Sequence, residues 1–408
     1  MDKSSGSGSG ARYLILEELL KRGHEIDFFD VESSGTASLK QTLAHPNFKF
    51  VGIEIEYFLR LLIKRYLPKR FHPTFDRNVG ALIQHLFSNP RVQRLISKQI
   101  TTHHQAKKYD FLLFCGRYAP FSIKGLKVIS WVQGPPQTEA YYMRHLKKQI
   151  LEFCGAYVYY KMRFFYFLKL RGLAHDLEHT DIFVCGSQWS KEQMIAYGLQ
   201  SSCVRVLPYP VNQNLMRPDI SGEDVSKDDD LKTFLWLGRI DPRKRFDLLI
   251  EAYLLLLKER QDVFLKVVGK FRFEGYKHLV DTFPYPNHLK CYPRLKHEEV
   301  PSLIKSCSLL VQPSEGENFG TSISESLCCG IPVIVGPTNG TKDYLDSHSF
   351  VFEEYTPQAL KDTMLRALEA LDAAPKNSTM NTHKAADSKF QVSNIVDALE
   401  RIFDDALD

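Results

Sequence analysis

Two open α/β domains, each a parallel sheet covered by helices on both faces, are what this sequence predicts, and three observations carry the prediction. Short β-branched and aromatic runs alternate with helical patterns along the 408 residues. The runs are apolar almost continuously, as strands buried on both faces are. Residues 218–231, PDISGEDVSKDDDL, combine Pro, Gly, Ser and acid with almost no apolar content, as an interdomain linker does.

The N-terminal domain is expected over residues 1–217. Its strands are predicted at 24–30 (HEIDFFD), 49–53 (KFVGI), 110–116 (DFLLFCG), 127–134 (KVISWVQG), 181–187 (DIFVCGS) and 203–211 (CVRVLPYPV). The C-terminal domain is expected over 232–408, with strands at 232–238 (KTFLWLG), 263–269 (VFLKVVG), 289–295 (LKCYPRL), 308–314 (SLLVQPS) and 332–336 (PVIVG). Helical segments such as FDLLIEAYLLLLKER separate them, and the last helix is expected to pack back on the N-terminal domain.

The chain opens with MDKSSGSGSG and runs straight into a helical pattern, ARYLILEELLKRG, although a doubly wound domain normally begins with a strand. The expectation is a late start or truncation. Gly6, Gly8 and Ala11 form a loose G-x-G-x-x-A with Asp30 about 20 residues on, which imitates a dinucleotide fingerprint without its leading strand. A Gly-rich turn before a helix also holds a phosphate or sugar through backbone amides, and a disordered leader is the competing reading. Gly8 and Gly10 are assigned to the acceptor side.

Hydrophobic residues make up 44% and charged residues 25%, the balance of a folded globular protein. No stretch approaches the roughly 18 uninterrupted apolar residues of a membrane span, and there is no apolar signal core, so a cytoplasmic protein is expected. The eight cysteines show no C-x-x-C pair and are expected to be reduced. The net charge of +5 hides an asymmetry: residues 1–220 hold 30 Lys/Arg against 18 Asp/Glu, and residues 221–408 hold 23 against 30. The basic first half is expected to face an anionic partner such as a membrane surface, lipid phosphate or an acidic polymer, charge alone leaving nucleic acid open; the partner assigned is a membrane surface, at the inner face of the membrane, and not nucleic acid. The segment 141–172, YYMRHLKKQILEFCGAYVYYKMRFFYFLKLRG, interleaves aromatics with basic residues, as a helix lying on anionic lipid would. Ordinary packing of an aromatic helix face explains it equally.

Two metal-like patterns are set aside. His175, Glu178 and His179 spell H-x-x-E-H, but no third ligand is evident and a solvated face accounts for them. Asp228, Asp229 and Asp230 sit in the linker and read as solvated charge. No metal is expected.

The second half is more specific. Arg239 and Lys244, in GRIDPRK, follow a strand at the end where open α/β sheets bind ligands, and two cations there suit a diphosphate. After the strand SLLVQPS come Glu317, Asn318, Phe319, Gly320 and Thr321, then a helix bearing Glu325, giving E-x7-E. Backbone amides at that helix start favour a phosphate and Gly320 permits close approach. Glu325, about one turn into the helix, is placed to reach a ribose, and Glu317, in the loop, the transferred sugar.

These three ordered stretches, GRIDPRKRFDLLIEA, HEEVPSLIKSCSLLVQPSE and ENFGTSISESLCCGIPVI, resemble the family 4 glycosyltransferases, the match being most specific over 231–346. Weaker similarity extends to GSGARYLILEELLKRGHEIDFF and VRVLPYPVNQNLMRP. The resemblance implies the GT-B fold of two Rossmann-like domains facing across a cleft, and transfer of a sugar from a nucleotide-sugar donor with retention of configuration and no metal. It implies a glycan or lipid-linked acceptor, in polysaccharide or glycoconjugate synthesis. It places Arg239 and Lys244 on the diphosphate, Glu325 on the ribose and Glu317 on the donor sugar, with Arg239, Lys244 and Glu317 as the catalytic set and Asn318 to Thr321 lining the donor site. The sequence departs from the family at Gln133-Gly134, where many members have His-Gly, and Gln cannot act as a general base. It departs also at PYPVN, where PNGVD is frequent. Competing readings are a nucleotide-sugar-binding protein without activity, and an isomerase or phosphorylase of the same fold; an NAD-linked oxidoreductase explains only the leader.

Overall fold

The computed structural model describes residues 8–31, 43–53, 89–218, 231–373 and 378–407. Gly6, Asp228, Asp229, Asp230 and nearly all of the expected linker lie outside them.

The first half begins with helix α1 (Gly8–Lys21), followed by strands β1 (Ile26–Val31) and β2 (Phe48–Ile53), which pair in parallel. Helix α2 (Asn89–Ala106) leads into β3 (Phe111–Cys115) and β4 (Lys127–Trp131). Three consecutive helices follow, α3 (Pro136–His145), α4 (Lys147–Cys154) and α5 (Ala156–Leu177), then β5 (Ile182–Cys185), α6 (Gln188–Ala196) and β6 (Val204–Val206). Strands β3 to β6 form a parallel sheet in sequence order. β4 and β5 owe their burial to apolar runs: Val128, Ile129, Trp131, Ile182, Phe183 and Val184 are all buried. α6 starts where it does because Ser187 Oγ accepts from the Ser190 amide at 3.2 Å, satisfying one orphan donor of the helix start.

The second half contains β7 (Lys232–Leu237), α7 (Phe246–Leu256), β8 (Val263–Val268), α8 (Glu274–Asp281), β9 (Leu289–Tyr292), α9 (Val300–Lys305), β10 (Leu309–Gln312), α10 (Thr321–Cys328), β11 (Val333–Val335) and β12 (Phe350–Val351). α11 (Pro357–Asp372), α12 (Ser378–Phe390) and α13 (Val392–Leu407) complete it. The eleven strands predicted from the sequence all appear. The two-residue β12 does not stand out in the sequence, because a pair of apolar residues has no period.

The six strands of the second sheet are all parallel in the order β12-β11-β10-β7-β8-β9. This is the doubly wound dinucleotide-fold order, whose direction reverses between its first and fourth strands, here β7 and β10. At such a reversal the two connections leave on opposite faces and open a crevice at the carboxyl ends. The stretches after β7 and β10, about 75 residues apart in the chain, therefore become neighbours.

α13 is amphipathic: Ile395, Val396, Leu399, Ile402, Phe403 and Ala406 are buried at helical spacing. That face lies on the first half, with Phe403 4.3 Å from Phe111 between ring centroids and Arg22 bonded to Asp397 and Glu400 at 2.5 and 2.7 Å. One apolar cluster consequently runs from Ile15 and Trp131 through Phe319 and Leu327 to Leu399.

Candidate functional site

β7 ends at Leu237, and Gly238 follows at φ 147° with its backbone against that of Gly269, the residue after β8. A Cβ on Gly269 would lie 1.9 Å from the Gly238 carbonyl oxygen, so only glycine allows the two strand ends to approach this closely. A short 3-10 turn, Pro242–Lys244, then carries the chain to Arg245, which holds the left-handed conformation (φ 54°). That conformation is unfavourable by about 1–2 kcal/mol for a side chain. It is held by Arg245 donating to Asp247 (3.2 Å) and Glu315 (2.5 Å), with its guanidinium over the Tyr355 ring.

The loop after β10 is stitched to that turn. Glu315 N–H donates to the Arg243 carbonyl at 2.8 Å, and Gly316, at φ 72°, turns the chain so that Glu317 points back at the cations. Lys244 Nζ lies 2.5 Å from Glu317 Oε2 and Arg243 3.8 Å from Oε1, with the Glu317 side chain only 7% exposed. Burial would raise the Glu317 carboxyl, but Arg243, Lys244 and Arg239 outweigh it and hold the group below its ordinary range. The same carboxylate is the leading reason that Arg243 is pushed further into its charged form. Arg239 itself is exposed and forms no side-chain hydrogen bond among the described residues.

Glu325, on α10, has a separate partner. His297 Nε2 lies 3.1 Å from its Oε1, yet burial dominates and raises the Glu325 carboxyl, the His297 contact offsetting only part. The two carboxylates of E-x7-E are thus driven in opposite directions. At the start of α10 the Gly320 amide donates to Thr341 Oγ1 at 2.8 Å, whereas Thr321 and Ser322, the next two residues, donate their amides to no acceptor among the described residues. Two buried acceptors at the strand ends, Asp241 Oδ1 and Gln312 Oε1, also lack a partner among the described residues.

Four of the residues singled out in the sequence, Lys244, Glu317, Gly320 and Thr321, meet at this switch point, and Arg239 stands at its rim. Asn318 and Phe319 do not serve it with their side chains. Asn318 Nδ2 donates to the Gln133 carbonyl and to Tyr209 Oη, both at 2.7 Å, and its Oδ1 accepts from Ser190 Oγ. Phe319 lies 4.7 Å from the Tyr209 ring in the shared apolar cluster. Both anchor the loop to the first half, because the loop's tip is buried between the sheets and its side chains must find partners there. Gln133 meets Asn318 through its backbone oxygen, and Gly8 and Gly10 lie in the first turn of α1. Arg243, His297 and the Arg245–Glu315–Asp247 cluster are not singled out in the sequence reading. For Arg243 a signal exists, the run of three cations at 243–245, but which of them faces Glu317 depends on the turn. No local pattern marks His297. The rings of His175 and His179 meet edge to face at 4.7 Å.

A parallel sheet of this order with a cation-paired acidic loop at its switch point, packed against a half built on a second parallel sheet, has the architecture of the GT-B class. The solved structures agree on the fold: a glycosyltransferase from Rickettsia africae at TM-score 0.65 and 16% identity, covering 100% of this chain and 96% of its own, and Anabaena HepE, solved with UDP and glucose, at TM-score 0.63 and 14% identity, covering 98% of each. Residues 220–383 match the family model of the glycosyl transferases group 1. Among curated relatives, an uncharacterised glycosyltransferase of Methanocaldococcus jannaschii is 25% identical over 56% of this chain and 61% of its own length. The GPI3 subunit of the Saccharomyces cerevisiae phosphatidylinositol N-acetylglucosaminyltransferase is 22% identical over 56% and 51%. The match spans little more than half the length of these curated relatives.

Proposed function

We propose that the chain is a retaining glycosyltransferase that moves a sugar from a nucleotide diphosphate donor, held by the second half, to a glycan or lipid-linked acceptor held by the first, in polysaccharide or glycoconjugate synthesis. The observation that carries this is the buried Lys244–Glu317 pair with Arg243 at the switch point, followed along the same loop by the Thr321 and Ser322 amides, which donate to no acceptor among the described residues. Arg239, Arg243 and Lys244 would meet the two phosphates and stabilise the charge that develops on the leaving diphosphate, so the reaction needs no metal. Glu317, kept ionised by its neighbours, would accept hydrogen bonds from hydroxyls of the transferred sugar, and Glu325 those of the ribose. With Gln133 where a base would stand, acceptor activation would rest on the departing phosphate oxygen. A cytoplasmic enzyme working at the inner face of a membrane fits the basic first half; nucleic acid is not a partner in this reading.

The test is titration with UDP-, GDP- and ADP-sugars. One of them should bind saturably to the wild type and at least tenfold more weakly to Lys244→Ala and Glu325→Ala; undiminished binding in both would remove the site assignment. A labelled donor then separates readings of the reaction. Label in a glycosylated acceptor supports transfer, whereas label retained in an isomerised nucleotide sugar or in a sugar phosphate supports an isomerase or phosphorylase.

A further inference from the structure

Helix α5 is apolar on two opposite sides. Tyr159, Met162, Tyr166, Leu170 and Leu173 turn inward against neighbouring helices and the first-half sheet. Tyr157, Tyr160, Phe164 and Phe167 turn outward and are 71%, 63%, 51% and 58% exposed. At about 100° per residue the outward four fall within an arc of roughly 80°, opposite the inward set. Ordinary packing therefore explains only half of this helix. A contiguous exposed aromatic stripe marks an interaction surface. Nine large hydrophobic residues are exposed in the described chain, and five of them, these four and Leu151 of α4, are concentrated on α4 and α5.

The charges around the stripe identify its partner. By the same helical geometry Lys161 borders it on one side and Arg163 on the other, with Lys161 Nζ 5.9 Å from the Tyr157 ring centroid. From Ala156 to Leu173 the sequence holds four basic residues and no acidic one, and Lys147 and Lys148 are exposed on α4; Glu152 is the opposing charge. We propose that the outer face of α4 and α5 docks on an anionic phospholipid bilayer, the aromatic rings entering the interface and the cations meeting lipid phosphates. A second copy of the chain would set cation against cation, whereas lipid phosphate neutralises them. Among the described residues no helix is long and apolar enough to cross a membrane, so α5 lies in the interface plane. The inference stands independently of the transfer reaction.

The test uses the full chain and phosphatidylcholine vesicles with or without phosphatidylglycerol, in a flotation assay. Wild type should float with the anionic vesicles, at least tenfold better than with neutral ones, and lose most of this at high salt. A variant combining Tyr157→Ser, Tyr160→Ser, Phe164→Ser and Phe167→Ser should lose at least tenfold of the binding, with its thermal melting checked to establish that it is folded. Arg163→Glu keeps the aromatic stripe and should weaken binding by about fivefold for each charge removed, twice in a reversal. The proposal is overturned if wild type does not float, if neither variant changes the binding, or if light scattering shows a dimer that the serine variant dissociates. Should the serine variant not fold, Arg163→Glu decides alone.

Discussion

The two halves treat charge in opposite ways. The first half holds the surplus of twelve positive charges, yet among the described residues its buried polar side chains are neutral: Ser130, Gln137, Thr138, Ser187 and Ser190. Its Asp27 carboxylate, covered by Lys107 and Tyr109, is the exception. The second half is net acidic and buries Asp241, Arg245, Asp247, Glu315, Glu317, Glu325 and Lys361. A charge leaves water at a cost of several kcal/mol unless a partner of good geometry compensates it. The second half therefore lines its switch point with paired ions, while among the described residues the first keeps its cations out of the core, where they act through a field at a distance.

If that contrast holds, the largest effect comes from Arg245→Met. It leaves Glu315 and Asp247 buried without their cation and should destabilise the fold by about 3–5 kcal/mol in urea unfolding; a loss under about 1 kcal/mol would break the comparison. Next is Lys244→Ala, which removes a preorganised cation from the proposed donor site and should lower kcat/KM for sugar transfer by about 100-fold or more; the melting temperature should fall as well, because the buried Glu317 keeps Arg243 but loses its nearer cation. Asn318→Ala cuts the clasp between the halves and strands the Gln133 carbonyl and the Ser190 and Tyr209 hydroxyls. A stability loss of about 1–3 kcal/mol is expected by denaturant titration.

The pH dependence sharpens the comparison within one motif. The Glu317 carboxyl is lowered, so its stabilisation is present above its ordinary value of 4.5 and is lost as pH falls through the depressed one. Glu325 is raised by burial, so its protonated form favours the fold below 4.5 and that contribution fades as pH rises through the raised value. Glu317→Gln should thus destabilise at pH 7 and flatten the acid limb of the stability profile. Glu325→Gln should be neutral or stabilising at pH 7, in chemical unfolding across pH 3–8. The smallest effect belongs to the first-half wall. Gln133→Ala keeps the backbone oxygen that Asn318 uses, and donor affinity should change less than about threefold, equivalent to under about 1 kcal/mol.

Much of this was legible along the chain. β7 and β10 are recognisable because a strand buried on both faces must be apolar throughout, and burial of that kind is written in consecutive residues. Lys244 and Glu317 stand out for a related reason, since each follows such a strand at the end where a parallel sheet binds ligands. Asn318 shows the limit. Its place in the motif points to the donor, and its side chain instead binds Gln133, Ser190 and Tyr209, residues 109 to 185 positions away.

The sequence by itself determined the alternation of strands and helices, the division of charge between the halves and the presence of a cation-rich turn and an acidic loop, because hydrophobic burial and net charge are sums over neighbours in the chain. Only the tertiary structure decided which ions meet. The reversal of strand order between β7 and β10 brings together two loops about 75 residues apart. The left-handed turn at Arg245 then divides three consecutive cations, turning Arg243 and Lys244 to Glu317 and Arg245 to Glu315 and Asp247. Ion pairing depends on direction and on distances of a few ångströms, and neither is defined until the sheet has closed and the backbone has chosen its turns.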